Sequence, residues 1–452
     1  MTREKSIEVA SSRIPRSMEL YHRALKRIPG GTQLVSRRPT RTAYGISPIY
    51  AQSANGARFT DVDGFEYIDW ISGIGSILLG YADPVVDAAV REQIMDGTNY
   101  SVNHELEVEL AEELCHWIPS AEMVRYAKTG GEACAMAVRI ARGVTGKDMI
   151  LFCGYHGWHD WYLAANLDAG SSLGEHLFPG IEPIGVPQGL ANTAMPFPYG
   201  DLASLETLLE KHEGKVAAVI MEPLRSELPV PGYLEGVLTL AKKHQCVSIF
   251  DEVSTGLRFG MGGAQEKFNA VPDMSVFAKS ISNGYAMAMV VGKSQVMEAA
   301  AQMFISSTYW SETIGLRAAL TTIREASHRN VAAQLEAYGE KLKRELNTIA
   351  LEVSCPVTCR GVDVHPYLHF DIPNEELRSQ VVTLYIQEMA KRGCHGYASF
   401  YLNAAQGDSE FSQTCEAARE TFVIIRDAFD RNEVTAVLEC SPQRDAFRRL
   451  VK

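Results

Sequence analysis

Two ionisable side chains 28 residues apart raise the question of chemistry in this chain: the carboxylate of Asp251 in VSIFDEV and the amine of Lys279 in PDMSVFAKSISNG. A carboxylate where an apolar strand ends faces the edge at which open α/β sheets bind ligands. There it can hold a heterocyclic nitrogen in its protonated form, because an opposite charge at close range favours the charged state. A ring so protonated is the stronger electron sink. Lys279 follows a short apolar run and is hemmed in by Val276, Phe277, Ala278 and Ile281. Partial loss of water there favours the neutral amine, the form that makes an imine with a carbonyl. Taken singly, each has an ordinary explanation: Asp251 and Glu252 as an acidic pair solvated at a strand end, Lys279 as a snorkelling lysine.

Two loops add further candidates. Thr129-Gly130-Gly131 stands directly ahead of an amphipathic stretch starting near Glu132; exposed backbone N–H groups at such a helix start attract anions, and glycines let a phosphate come close. The same pattern also describes a plain glycine-rich turn. After the run MILFC comes GYHGWHD, where Tyr155 can stack on a planar heterocycle and add about 1 kcal/mol beyond its buried area. His156 and His159 have a spacing that suits a metal, but no nearby cysteine or third ligand supports one, and His365 with His369 fares no better, so no metal is expected. The glycines of GIGSILLG, residues 73–80, miss the dinucleotide fingerprint because no helix opens there and the third glycine is displaced.

These groups need strands to carry them. MILFC (149–153), VAAVIM (216–221), VSIFDEV (247–253) and MAMVVG (287–292) are apolar runs of strand length between helical stretches. Strands with almost no polar alternation are covered on both faces, the habit of parallel sheets packed between helices. The spacing predicts an α/β domain over 76–320. Ahead of it, in residues 1–75, ARFTDVDGFEYIDW alternates with a period near two across Asp63-Gly64, which predicts an antiparallel hairpin. Beyond 320 the pattern predicts a smaller α+β domain over 321–452: a long helix through TTIREASHRNVAAQLEAYGEKLKRELNTIALE, short strands near YLHFDI, then helices at 375–392 and 410–430.

Composition narrows the function classes. At 452 residues with 46% hydrophobic and 22% charged residues, the chain has material for more than one core. A formal charge of −12 repels nucleic acid and anionic lipid. The N-terminal MTREKSIEVASSRIPRSMEL is charged throughout and lacks an apolar signal core, and no apolar run approaches membrane-spanning length, so a cytoplasmic protein is expected. Nine cysteines without CxxC pairs argue against a disulfide framework.

The order of the motifs is more specific than any one of them. TGGEA, YHG, MEP, DEVSTGLR, the lysine of FAKSISNG and SST before a helix succeed one another over about residues 30–325. That series resembles the class III aminotransferases among the fold type I pyridoxal-phosphate enzymes, and within them the glutamate-1-semialdehyde aminomutase-like branch. The resemblance implies that Lys279 forms the Schiff base with pyridoxal 5′-phosphate and that Asp251 pairs with the pyridine nitrogen. It further implies that Val253 and Tyr155 pack on the two faces of the ring, and that Gly130 and Gly131 bind the phosphate through their N–H groups. Most relatives have Ser, Thr or Val where this chain has Gly131. Thr308 resembles the residue that reaches the phosphate of the neighbouring subunit, which implies a homodimer. Glu222 lines the cofactor pocket in relatives, and Arg37 aligns roughly with a carboxylate-binding arginine of the aminomutases.

The implied activity is transfer of an amino group from an amine, amino acid or amino sugar to a carbonyl acceptor, with Lys279 as general base and a pyridoxamine phosphate intermediate. Both halves occurring on one molecule give an aminomutase instead. A cofactor-binding protein without turnover, as in transcription factors fused to such domains, is the rival from another class; those need a basic DNA-binding module, and this chain has neither the extra length nor a basic face. Two departures bear on substrate: YASFYLNAAQGDSE has no arginine where 2-oxoglutarate-using relatives place one, and the acidic glycine-containing loop of true semialdehyde aminomutases is missing. SSTYWSETIG is closer to relatives in secondary pathways, including some that aminate sugars.

Overall fold

The computed structural model describes residues 12–167 and 183–443. The segment up to residue 11, where the absence of a signal core was expected, lies outside them. The described residues divide into two compact units, one made of 12–74, 80–83 and 335–443, the other of 75–79, 84–167 and 183–334.

The second unit is built on a seven-stranded sheet. In chain order its strands are β4 (Met123–Ala127), β5 (Met149–Cys153), β6 (Ala194–Pro196), β7 (Val216–Met221), β8 (Val247–Asp251), β9 (Met274–Phe277) and β10 (Ala288–Gly292). Across the sheet they lie in the order β4-β10-β9-β8-β7-β5-β6. Every residue of β5, β7 and β8 is buried, which is why these runs lack polar alternation. Each fully buried Ile, Leu, Val or Phe among them contributes roughly 1.5–3 kcal/mol relative to exposure. β5 through β9 pair in parallel. β10 is antiparallel to both of its neighbours, β9 and β4. The two reversals cancel, so β4 points the same way as β9. The carboxyl ends of β4, β5, β7, β8 and β9 therefore share one edge of the sheet.

In the first unit, β1 (Ala51–Asn55), β2 (Arg58–Asp61), β3 (Glu66–Asp69) and β13 (Cys394–His395) form a four-stranded sheet in that order. The expected hairpin is β2–β3, pairing Phe59 with Tyr67 around Gly64 at φ +89°. The Asp63 carboxylate in its turn accepts from the N–H groups of Arg16 (2.7 Å) and Ser17 (3.0 Å) at the start of α1 (Pro15–Ala24). β11 (Val357–Arg360) and β12 (Tyr367–Phe370) make a second, two-stranded sheet. Helices Glu375–Lys391 and Asp408–Asp430 stand within two residues of their expected positions.

One expectation needs correction. The stretch read as one long helix is two, Thr313–His328 and Val331–Glu352. Asn330 between them adopts φ +52°, the left-handed conformation that ends a helix and that asparagine tolerates better than most residues. Among the described residues no helix is long and apolar enough to cross a membrane.

Candidate active site

β8 and β9 run side by side with Asp251 in register with Val276, three residues before Lys279. Both candidate side chains thus leave the same edge from adjacent parallel strands. Asp251 is only 3% exposed. Its Oδ1 accepts from the Val253 N–H at 3.0 Å, and its Oδ2 lies 2.8 Å from His156 Nδ1. An ionised carboxylate can only accept, so that nitrogen carries the proton. The Cys134 thiol donates to the same Oδ2 at 3.4 Å. Burial, then the Asp251 charge, push this thiol well up, so it remains a neutral donor. Lys279 Nζ donates to Ser254 Oγ at 2.8 Å.

Glu252, the other half of the acidic pair, serves a different purpose. Its buried carboxylate accepts from the N–H groups of Ala264 (2.9 Å) and Gln265 (2.8 Å) and from the Thr255 hydroxyl. It caps the turn at 264–267, and burial pushes it up to about 7. Arg258 of the same motif is buried too, donating to the carbonyl of Gly75 at 2.9 Å.

The helix Gly130–Thr145 begins just past β4 with Thr129 as its N-cap, reciprocated by Glu132. A Cβ on Gly130 would stand 3.0 and 3.1 Å from the Val253 methyls. A Cβ on Gly131 would meet the His159 ring at 3.2 Å and the Gly157 Cα at 3.6 Å. Positions 130 and 131 thus bring no side chain of their own to this helix start, where partial positive charge gathers. The loop after β5 is pressed against it: Gly157 has φ +101°, and a Cβ there would come 2.8 Å from the Gly131 Cα. Gly157→Ala is expected to cost about 1–3 kcal/mol through backbone strain and to weaken cofactor retention. Thermal melting and dialysis check both; Gly189→Ala, where a Cβ meets nothing within 4 Å, is the control.

Glu222, just past β7, steadies that loop. Its Oε2 accepts from the Tyr155 N–H at 3.0 Å, and Gly154 at φ +120° leaves the carboxylate its space. The Tyr155 hydroxyl is pushed up by burial and by its neighbours Cys134, Asp251 and Glu222. Val253, Tyr155, Gly130, Gly131, Glu222, Asp251 and Lys279 therefore belong to one edge of one unit. Thr308 lies in the same unit, exposed in a turn ahead of Thr313–His328, and its hydroxyl has no partner among the described residues. Arg37 is not among them: it belongs to the first unit, exposed and lining a cavity there.

Sequence reasoning passed over Cys134 and Ser254. His156 was weighed only as a metal ligand; Cys134, His156 and Asp251 do bring three donor atoms within 4.8 Å of one another. The signal for its carboxylate partner was its place three residues beyond a buried strand next but one to β8.

The model of the class III aminotransferase family matches residues 41–363. The chain belongs to the class III aminotransferases. Over 92% of its length it is 34% identical to the 3-aminobutyryl-CoA aminotransferase of Cloacimonas acidaminovorans, matching 98% of that protein. The glutamate-1-semialdehyde 2,1-aminomutase of Ignicoccus hospitalis is 33% identical over 91% of this chain and 99% of its own. Among solved structures, an omega-transaminase from Sphaerobacter thermophilus superposes with a TM-score of 0.80 at 26% identity, covering 92% of this chain and all of that one. This class III aminotransferase is a fold type I enzyme whose cofactor is pyridoxal 5′-phosphate and whose reaction moves an amino group.

Its edge residues fit that cofactor. A buried carboxylate suits a pyridinium nitrogen, an amine suits the aldehyde, and a helix start stripped of side chains suits the phosphate.

Proposed function

We propose that this class III aminotransferase works as a cytoplasmic homodimer that takes an amino group from an amine or amino acid and delivers it to a carbonyl acceptor. The observation that carries the residue roles is the departure of Asp251 and Lys279 from one edge of adjacent parallel strands. The Asp251 carboxylate would hold the ring nitrogen in its protonated form, with His156 fixing the carboxylate. Lys279 Nζ would hold the aldehyde of the cofactor and, when free, would serve as the base toward the substrate carbon that bears nitrogen. Ser254 Oγ orients that amine. Val253 and Tyr155 would flank the ring, and the N–H groups of Gly130 and Gly131 would bind the phosphate, while Glu222 holds the Tyr155 loop in place. Bound there, the cofactor supplies the electron sink for charge developing on the substrate carbon.

Substrate is approached through the relatives. The named substrate of the C. acidaminovorans enzyme is 3-aminobutyryl-CoA, a β-amino thioester, and the aminomutases favour glutamate 1-semialdehyde as the second reading. A half-reaction screen separates them: the visible cofactor band is followed as β-amino thioesters, amino acids, amino sugars and the semialdehyde are added. Bleaching that a separate carbonyl acceptor reverses supports transamination. Turnover of the semialdehyde with no acceptor and no bleaching supports the mutase. A loaded enzyme that no amine bleaches and that leaves the semialdehyde unconverted overturns both.

Support for the dimer comes from apolar side chains left in water beside Thr308, where Phe304 is 86% and Tyr309 64% exposed. Thr308→Ala is expected to weaken cofactor binding about three- to tenfold, the worth of one hydrogen bond. Equilibrium dialysis of the visible band checks this, and sedimentation checks the dimer; unchanged retention removes the cross-subunit contact.

A further inference from the structure

Between Leu20 and Thr60 the chain has no aspartate or glutamate, although the whole protein has 55 acidic residues and a formal charge of −12. Arginines and lysines gather there instead. The first unit carries a half-open cavity of about 1000 Å³, and Arg23, Lys26, Arg27, Arg37 and Arg38 all line it. All five are exposed, and none has an ion pair or hydrogen-bonded partner through its side chain among the described residues. Arg23 stands in the last turn of α1, where a cation complements the helix dipole. That explanation does not extend to Arg37 and Arg38, which lie in the loop after it. Like charges collected around one cavity raise the local potential and call for an anion.

The rest of the lining fits the same reading. The carboxylate in it, Asp69, is already engaged, accepting from the Ile71 N–H at 2.9 Å, the Gly73 N–H at 3.1 Å and the Tyr81 hydroxyl at 2.6 Å. His395 is held below its ordinary value by burial, against the pull of Asp69. Tyr50, Tyr81 and Tyr397 give the cavity aromatic wall. Tyrosine rings take planar heterocycles on their faces, and guanidinium groups take phosphoryl oxygens in pairs.

We infer that this cavity binds a ligand carrying adjacent phosphoryl groups and a planar ring: a nucleoside diphosphate, free or as the handle of a larger substrate. Only the second source rests on the amino-transfer reading, whose carbonyl or amine would then be carried on the phosphorylated handle.

The test is calorimetric titration of the full-length, cofactor-loaded protein with ADP, inorganic pyrophosphate and adenosine. ADP is expected to bind, to weaken as salt rises, and to bind at least tenfold tighter than adenosine, with pyrophosphate between them. Arg23→Ala with Arg27→Ala is expected to weaken ADP at least tenfold while circular dichroism is unchanged. Absence of ADP binding, equal affinity for adenosine, or an unaltered double variant overturns the assignment. So does loss of the visible cofactor band on adding ADP, which would place ADP in the cofactor's own phosphate loop. Should the double variant fail to fold, the salt dependence and the ADP-to-adenosine ratio of the unaltered protein decide alone.

The source is read with 3-aminobutyryl thioesters of coenzyme A, which carries a nucleoside diphosphate, and of N-acetylcysteamine, which does not. Bleaching at tenfold or lower concentration by the coenzyme A thioester assigns the cavity to substrate; equal potency beside ADP binding assigns it to a free nucleotide. Bleaching by neither counts against the thioester substrate and leaves the ADP isotherm untouched, so the two failures are told apart.

Discussion

Lys279→Ala removes turnover and the visible band of the bound cofactor together. Loss of the general base alone slows proton transfer by about 10²- to 10⁴-fold, and loss of the covalent anchor adds to this. The alanine meets no packing penalty on a scale that would unfold the unit, since the lysine is only half-buried and its one described hydrogen bond is to Ser254. The left-handed backbone at this position, φ +51°, stays as it was. Absorbance spectra, single-turnover kinetics and a melting curve check the three parts. A variant within tenfold of the parent rate would show that another amine does the work.

Asp251→Asn comes second. The amide keeps the size of the side chain and an oxygen for the Val253 N–H or His156 Nδ1, but it removes the charge. An opposite charge at contact is worth one to three pKa units to its partner, or about 1.4–4 kcal/mol. If that appears in full in the barrier, kcat falls about 10- to 1000-fold. The melting temperature is expected to change by only a few degrees, because the local hydrogen bonds have substitutes. Unchanged kcat, measured with saturating cofactor so that weak binding is not mistaken for slow chemistry, would remove Asp251 from its role.

Much of the fold was legible because buried parallel strands leave an unmistakable trace: Ile150, Leu151 and Phe152, or Val219 and Ile220, have no polar neighbour in alternation. The direction of β10 was not legible. An antiparallel strand covered on both faces has the same composition as a parallel one, so Ala288–Gly292 looks like its neighbours. The break at Asn330 was hidden for a related reason, since one left-handed residue does not disturb a helical apolar pattern on either side.

At the site, Asp251 and Glu252 could not be told apart from their order alone. What separates them is where their oxygens are used: Glu252 is spent on the backbone at Ala264 and Gln265, while Asp251 keeps capacity beyond Val253 and His156. Such an assignment depends on residues twelve or more positions away. The pressure of Gly157 on Gly131 was equally invisible, because it joins two motifs only in space.

The common direction of β4 and β5 through β9 gives the second unit a working rim and an idle one. On the idle rim, the turns that feed β5, β7 and β8 contain Gly146 at φ +65°, Gly214 at φ +73° and Gln245 at φ +55°. Around Gly146 and Gly214 a methyl group would find open space. An affinity tag, a fused domain or a tether to a solid support grafted there meets none of the loops that hold the amine, the carboxylate or the phosphate cradle, so the catalyst can be immobilised by its back.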